Sequence, residues 1–201
     1  MMTTAILFRR EITQSRLINN ILGMAIFIVL TSLGAFVRIP LGFSPVPLTL
    51  QTFFVLLSGA VLGPNLGLLS QGGYIFLGAL GLPIFTRASS GFFYLFGPTA
   101  GYLWGFVLAS FITGNLVKHH PLRAFNKTGD LNFWTIFIYM IIGDAILLTS
   151  GGLWLFAALK FNLWQAIFLG VLPFIPGDII KAIAAAHLYR KIQARTREIF
   201  S

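Results

Sequence analysis

The sequence lacks cysteine and contains few charged residues. Because disulfides, thiolate metal sites and cysteine nucleophiles all need a thiol, redox chemistry through sulfur is excluded. Charged residues make up 9% of the chain, against roughly a quarter in soluble domains. Hydrophobic residues make up 57% of the 201 residues, so the chain has too few polar groups to cover a soluble surface. The composition predicts an all-α integral membrane protein.

The net charge of +9 does not indicate a nucleic-acid partner. The basic residues sit at the two ends and in short connectors, and no nucleic-acid recognition module accompanies them. The start of the chain, MMTTAILFRR, has no basic leader, long apolar stretch or small-residue cleavage site. We therefore expect no nucleic-acid binding and no signal peptide.

Six apolar stretches follow one another without a cross-domain linker, which predicts one transmembrane domain over residues 1–201 with six helices. Gly63-Pro64 is a turn signal between the second and third stretches. Each of these two is shorter than the ~20 residues of a full crossing. The predicted stretches are 17–37, 49–62, 65–80, 92–117, 133–159 and 163–188.

The distribution of lysine and arginine predicts the orientation of the chain in the membrane, because basic loops are retained on the cytoplasmic side. Six spans place all three basic clusters on one side, whereas five or seven would separate the terminal clusters. We therefore expect both termini in the cytoplasm. The clusters are Arg9, Arg10 and Arg16, then Lys118, Arg123 and Lys127, then Arg190, Lys191, Arg195 and Arg197.

Two acidic residues, Asp144 and Asp178, fall inside the predicted spans. A carboxylate at bilayer depth costs a few kcal/mol, so it normally faces a partner or a wet cavity. Asp178 follows a Pro-Phe-Ile-Pro-Gly break, and Lys181 lies on the same helix face at i+3. This pair is either a structural ion pair or a donor and an acceptor for a polar ligand at a broken helix. Asp144 has no basic neighbour at helical spacing, which favours a hydrogen-bonded structural role over ligand contact.

Further polar residues lie at the span ends predicted to face outward. Pro45 and Pro47 stiffen a connector, after which Gln51 opens the next span and can project inward. Arg87 is the strong cation of a later connector. It is a candidate for two-pronged binding of a carboxylate, with headgroup contact as the alternative.

The sequence contains no motif that indicates catalysis. It has no Gly-x-Ser-x-Gly nucleophile elbow, no His-Glu-x-x-His and no Gly-x-x-x-x-Gly-Lys-Ser/Thr phosphate loop. His119 and His120 are adjacent in a predicted cytoplasmic connector and are expected to be solvated. We expect no enzyme activity, no cofactor and no metal site, and any ATP-driven transport would need another subunit to bind the nucleotide.

Five segments resemble the BioY family, the biotin-capturing membrane subunits of energy-coupling-factor (ECF) transporters. They occur in the same order as in the family, from the second predicted span to the last. Together they identify the family more specifically than any single Gly-Pro turn does. The segments are Pro45–Gln51 (PVPLTLQ), Leu62–Pro64 (LGP), Gly81–Pro83 (GLP), Phe96–Tyr102 (FGPTAGY) and Pro173–Ala182 (PFIPGDIIKA). The resemblance implies a six-helix fold that holds the vitamin in an outward-facing cavity made by helix ends and connectors.

The resemblance also implies ligand contacts at matching positions. Gln51, Asp178 and Lys181 fall on family motif positions, and the Asp-Lys pair resembles the family's polar contact to the ligand, namely its ureido ring. Arg87 is a candidate partner for the valerate carboxylate. In the family the basic residue of this connector commonly lies nearer Ser89, so Arg87 is displaced from the family position by about two residues.

Two tyrosines complete the candidate contacts. Tyr74 and Tyr94 could flank the ligand rings, with ordinary packing as the alternative.

The family further implies partners in a prokaryotic cell membrane: biotin, lipid, a transmembrane coupling subunit and ATPase subunits, with a homo-oligomer left open. Substrate-capturing subunits carry Ala-x-x-x-Ala in the first helix for coupling-subunit contact, whereas this chain has Ala25-x-x-x-Val29. Three alternatives remain: a subunit for a different vitamin, a small intramembrane enzyme with Asp144 or Asp178 as base, and a structural membrane subunit.

Overall fold

The computed structural model describes the backbone of residues 2–119 and 130–200 and the side chains from residue 16 onward in those ranges. His120, Arg123 and Lys127 lie outside the described residues. The helices are α1 (Met2–Phe36), α2 (Gln51–Ala79), α3 (Ala100–His119), α4 (Phe133–Ala158), α5 (Leu163–Gly170) and α6 (Ile175–Phe200). Two-residue strands, β1 (Arg38–Ile39) and β2 (Leu48–Thr49), pair antiparallel in the first connector. The predicted all-α class is confirmed, and this small hairpin was not predicted.

Helix α2 is a hairpin of two antiparallel halves, 51–62 and 64–79. Gly63 breaks it with φ 79° and ψ −179°, a conformation that favours glycine. Gln71 Nε2 donates to Ser58 Oγ at 3.0 Å, although a straight helix would separate positions thirteen residues apart by about 20 Å. The two short stretches predicted on either side of Gly63-Pro64 are therefore confirmed as separate helical segments.

The sixth predicted stretch, 163–188, contains the break that its prolines predict. It is divided into α5 and α6, which are bent by 47° around a break at residues 171–174. Pro173 lies in the break, where it has no N–H to donate and disfavours helical geometry in the residue before it. The helix after the break continues to Phe200, beyond the predicted end.

The fourth predicted stretch, 92–117, also began too early. A 3₁₀ helix occupies Phe92–Phe96, Gly97 is extended, and α3 starts at Ala100. Pro98 explains the interruption, since it disfavours helix geometry at Gly97. The connector before α3 packs onto the end of α2, where the Gly91 N–H donates to the Gly78 carbonyl at 2.8 Å.

The outer surface of the bundle is apolar, as expected for a multi-pass membrane protein. Helices α1 from Arg16 onward, α3 and α4 are each long and apolar enough to span a membrane, and so is the bent α5–α6 pair taken together. Because α2 is a hairpin, it contributes two of the six segments of the bundle. Large side chains such as Ile26, Val29 and Phe168 are more than half exposed on the surface of the bundle, which suits contact with lipid.

Lys118 at the end of α3 and Arg197 of α6 line one cavity at an end of the bundle that is here called the basic end. Arg197 in α6 pairs with Asp130, which precedes α4. A Cβ placed on Gly23 of α1 would lie 2.8 Å from both Leu62 and Phe200 side-chain atoms. These contacts bring α1, the turn of the α2 hairpin, α6 and the start of α4 to the same end of the bundle. The assignment of this end to the cytoplasm remains a prediction.

Candidate functional site

A cavity opens at the end of the bundle opposite the basic end, with an empty volume of about 500 Å³ including its mouth. Its wall comes from the first connector, both ends of the α2 hairpin, the connector before α3, and helices α3, α4 and α6. The lining residues are Val46, Pro47, Thr49, Gln51, Thr52, Tyr74, Thr86, Tyr94, Thr99, Tyr102, Leu103, Phe106, Leu147, Leu148, Phe174, Asp178 and Lys181. Five of the six residues predicted to bind a ligand are among them.

Asp178 and Lys181 form an ion pair in the cavity wall. Their exposed fractions are 1% and 8%, so both charges are withdrawn from bulk solvent. Lys181 Nζ also donates to the Thr49 carbonyl at 2.8 Å, which ties α6 to the first connector. A buried pair with these contacts offers the cavity one acceptor group and one donor group.

The broken helix positions this pair. The Asp178 N–H donates to the Phe174 carbonyl at 2.8 Å, which places Asp178 in the first turn of α6. A carboxylate at a helix N-terminus is stabilised by the helix dipole. Lys181 follows on the same face, so the proline break delivers both charges to the cavity together.

Gln51 and Tyr74 join the two ends of the α2 hairpin beside the cavity. Gln51 Nε2 donates to the Tyr74 hydroxyl at 2.7 Å, and that hydroxyl donates to the Ile84 carbonyl at 3.2 Å. Gln51 Oε1 accepts from the Thr49 hydroxyl at 3.3 Å. Because these bonds already hold both side chains, their positions are fixed before any ligand enters.

Aromatic rings form the side of the cavity nearest the connector before α3. Phe85 stacks on Tyr94 with ring centroids 4.7 Å apart and meets Tyr74 edge to face at 5.6 Å. The Thr86 and Tyr94 hydroxyls are hydrogen-bonded to each other. Flat apolar surfaces with a few fixed polar groups are typical of small-molecule sites.

Arg87 is not part of this wall. The residue has φ 65°, and its side chain is exposed, whereas the preceding Thr86 lines the cavity. The role of Arg87 as carboxylate partner therefore stays a prediction.

Thr52, Tyr102 and Phe174 are among the lining residues that were not predicted as ligand contacts from the sequence. Tyr102 donates its hydroxyl hydrogen to the Gly170 carbonyl, and its ring centroid lies 5.8 Å from that of Phe174. Tyr102 ends the Phe96–Tyr102 segment, and Phe174 lies inside the Pro173–Ala182 segment. Their membership of those segments was the signal available in the sequence.

The described residues contain no group of three or more histidine, cysteine or acidic side chains able to hold a metal ion. His119 is exposed at the end of α3, with its Nδ1 3.1 Å from the Asn115 carbonyl oxygen. What the cavity provides is a charged acceptor, a charged donor and an aromatic wall inside an apolar bundle. These features are typical of a membrane-embedded protein that binds a small amphipathic molecule.

Comparison with known proteins assigns this chain to a family. The sequence model of the BioY family matches residues 3–198, and the chain belongs to the BioY family. The chain is 41% identical over 173 residues to the probable biotin transporter BioY of Pyrococcus horikoshii, covering 86% of this chain and 95% of that one. It is 38% identical over 170 residues to the biotin transporter BioY of Thermotoga maritima, covering 84% and 92%.

A solved structure has the same fold. The S-component for biotin from an ECF-type ABC transporter superposes with a TM-score of 0.79 at 27% identity, covering 88% of this chain and 92% of that chain. The resemblance found in the five sequence segments is thereby confirmed. The family is one of transporters, in agreement with the expectation that the chain is not an enzyme.

Proposed function

We propose that this chain captures biotin in the cavity at the end opposite the basic end and delivers it across the membrane. The observation that carries the proposal is the buried Asp178–Lys181 pair in the cavity wall. Membership of the BioY family and the fold shared with a biotin S-component support the same ligand.

The polar pair matches the ureido head of biotin. That head has two N–H donors and one carbonyl acceptor in a plane. We place the N–H groups toward the Asp178 carboxylate and the carbonyl toward the Lys181 ammonium. Hydrogen bonds with one ionised partner are about twice as strong as neutral ones, and burial of the pair strengthens them further.

The fused rings, the aliphatic chain and the carboxylate of biotin suit the aromatic wall of the cavity and the connector beside it. Its fused rings and aliphatic chain would contact Tyr74 and Tyr94, while Gln51 holds the Tyr74 hydroxyl in place. The valerate carboxylate would reach the exposed Arg87, which follows the lining residue Thr86 in the chain. In this arrangement each end of the ligand has its own partner and the apolar middle is buried.

ATP-driven transport would require partners beyond this chain. The chain has no phosphate-binding loop, so ATP-driven delivery needs the coupling subunit and ATPase subunits of an ECF transporter. By the positive-inside rule, the basic end lies in the cytoplasm and the cavity opens outward. We propose that partner ATPases drive the bundle to topple within the membrane and release biotin inward.

Equilibrium binding of labelled biotin to the purified chain tests the proposal. We expect saturable binding that unlabelled biotin displaces and that a panel of other vitamins does not. Displacement by another vitamin in preference to biotin would assign the chain to that vitamin. Absence of binding to every vitamin in the panel would favour a structural membrane subunit. Turnover of lipid, abolished by Asp178→Ala, would instead indicate an intramembrane enzyme.

The exposed face of α1 is the proposed contact for the coupling subunit. Ala25 and Val29 are both exposed there, one helical turn apart, and small residues allow close helix packing in membranes. Val29→Ala is expected to raise the amount of coupling subunit that copurifies with the chain about two- to threefold, consistent with packing gains of a few tenths of a kcal/mol. Ala25→Leu is expected to lower it.

Leu153→Ala on α4 serves as the control, because Leu153 is 60% exposed on a different helix. All three variants should bind biotin equally in detergent. Equal copurification of the Val29 and Ala25 variants with wild type would remove α1 from the docking surface.

A further inference from the structure

The break between α5 and α6 leaves backbone carbonyls without their helical donors. In an uninterrupted helix the Leu169 carbonyl would accept from the residue four positions later, which is Pro173. Proline has no N–H, so this carbonyl needs a donor from elsewhere. The Gly170 carbonyl also lacks its helical donor, because the Phe174 N–H donates to the Val171 carbonyl at 3.1 Å instead. Carbonyls left unpaired inside a protein cost stability.

Hydroxyl groups from two other segments satisfy these carbonyls. Ser44 Oγ donates to the Leu169 carbonyl at 2.6 Å, across 125 residues of sequence. The Tyr102 hydroxyl donates to the Gly170 carbonyl. Ser44 is half-buried in the first connector, where its oxygen also accepts from the Val46 N–H at 3.2 Å. The break is therefore bonded to the first connector as well as to α3.

The first connector crosses the break from α5 to α6. Ser44 is bonded to the end of α5. Further along the connector, a Cβ on Gly177 of α6 would lie 3.0 Å from the Leu48 side chain. The next residue, Thr49, accepts from Lys181 Nζ at 2.8 Å through its carbonyl. The connector is thus held on both sides of the break.

This part of the connector also forms part of the cavity wall. Val46, Pro47 and Thr49 line the cavity, and Ser44 itself is not among the described residues that line it. Ser44 is therefore placed to act on the ligand site through the lining residues that follow it. It also acts on Lys181, because the Thr49 carbonyl that binds the ammonium belongs to the same short segment.

We propose that Ser44 is a positioning residue of the ligand site, whose hydroxyl binds the carbonyl that Pro173 leaves without a donor and so holds the first connector across the break. This inference rests on the proposed function. With the bond in place, the Thr49 carbonyl meets the Lys181 ammonium before any ligand arrives. Without it, the connector moves relative to α5, and ligand binding must order the connector at a cost in affinity.

Removal of the Ser44 hydroxyl tests the proposal by equilibrium binding of labelled biotin. We expect Ser44→Ala to weaken binding about fivefold, the size expected for the loss of one intramolecular hydrogen bond. Ser44→Thr keeps a hydroxyl and should bind biotin as wild type does. Unchanged affinity in Ser44→Ala, or an equal loss in Ser44→Thr, would overturn the proposal.

Thr149→Val is the matched control for the binding measurement. The Thr149 hydroxyl donates to the Ala145 carbonyl at the same distance of 2.6 Å, but within one helix and on the exposed face of α4. Removing this hydroxyl should leave biotin affinity unchanged. A loss equal to that of Ser44→Ala would show that any hydroxyl–carbonyl bond of the bundle has the same effect, which contradicts a positioning role for Ser44.

Hydrogen exchange without ligand separates positioning of the connector from a general loss of stability. The Leu50 N–H ends the connector and donates to the Val37 carbonyl at 3.0 Å. The Leu131 N–H donates to the Gln193 side chain near the basic end. We expect Ser44→Ala to speed exchange about threefold at Leu50 and to leave Leu131 unchanged, because the opening is local. A general loss of stability would speed exchange at both amides.

The two readouts distinguish failure of this inference from failure of the proposed function. Unchanged exchange at Leu50 in Ser44→Ala would reject Ser44 as the anchor of the connector, whatever the affinity for biotin. Faster exchange with wild-type affinity would reject the positioning role alone. Faster exchange in a protein whose wild-type form binds no biotin would reject the proposed function and retain the anchor.

Discussion

Replacing Lys181 by methionine, or Asp178 by asparagine, is expected to weaken biotin binding at least tenfold, or about 1.4 kcal/mol. Each change removes one of the two proposed ionised partners of the ureido head, both of which are more than nine-tenths buried. Buried charge-assisted hydrogen bonds are among the stronger contacts in proteins, which sets the size of the loss. Equilibrium binding of labelled biotin to the purified variants measures it.

Loss of folding must be separated from loss of binding in these variants. Lys181→Met alone leaves the Asp178 carboxylate uncompensated, and breaking a buried pair in this way costs about 3–5 kcal/mol of stability. The double variant Lys181→Met/Asp178→Asn removes both charges and should regain melting temperature while still failing to bind. Lys191→Met, at an exposed lysine of the same helix, should behave as wild type. Wild-type affinity in the double variant would exclude the pair from the site.

Gly59→Ala is expected to destabilise the bundle by about 3 kcal/mol, at the upper end of overpacking effects. A Cβ at this position would lie 2.1 Å from the backbone oxygen of Ser110. Since the obstacle is the backbone of α3, no rotamer change relieves the clash, and the α2 hairpin must move away from α3. The melting temperature in detergent should fall, and biotin binding should fall with it because the hairpin holds Gln51 and Tyr74.

Gly72→Ala is the matched control in the same hairpin. A Cβ there meets nothing within 4 Å, so the melting temperature should stay at or slightly above that of wild type, as expected from the helix propensity of alanine. Equal melting temperatures for the Gly59 and Gly72 variants would contradict the close packing of α2 against α3.

Local sequence rules were sufficient to predict that Asp178 and Lys181 share a helix face and that the chain turns at Gly63. Pro173 and Pro176 predict a break, and the i+3 spacing predicts that Asp178 and Lys181 share a face. Gly63 before a proline predicts a turn between two short helices. In each case the decisive residues are within four positions of one another, so the structure follows from the backbone preferences of proline and glycine.

Contacts between distant segments could not be predicted in the same way. The bond from Gln51 to Tyr74 spans 23 residues and exists because the hairpin brings its two ends together. The bonds between the Gln193 side chain and the Leu131 backbone span 62 residues and hold α6 against the segment that precedes α4. No periodicity within one helix contains that information.

The sequence also could not predict which side chain of the connector before α3 lines the cavity. The sequence marks Arg87 as its strong cation, but the packing of Phe85 against Gly78 determines which neighbouring side chain enters the cavity. A Cβ on Gly78 would lie 2.2 Å from the Phe85 ring, so Phe85 is buried by direct contact with α2. Thr86 then lines the cavity and Arg87 is exposed.

A structure of the chain with biotin bound tests the central claim most directly, namely that a vitamin engages the buried Asp178–Lys181 pair. We predict biotin in the cavity, with its ureido nitrogens within 3.2 Å of the Asp178 carboxylate oxygens and its carbonyl oxygen beside Lys181 Nζ. Biotin bound elsewhere, with Asp178 and Lys181 contacting neighbouring helices and no solute, would contradict the account.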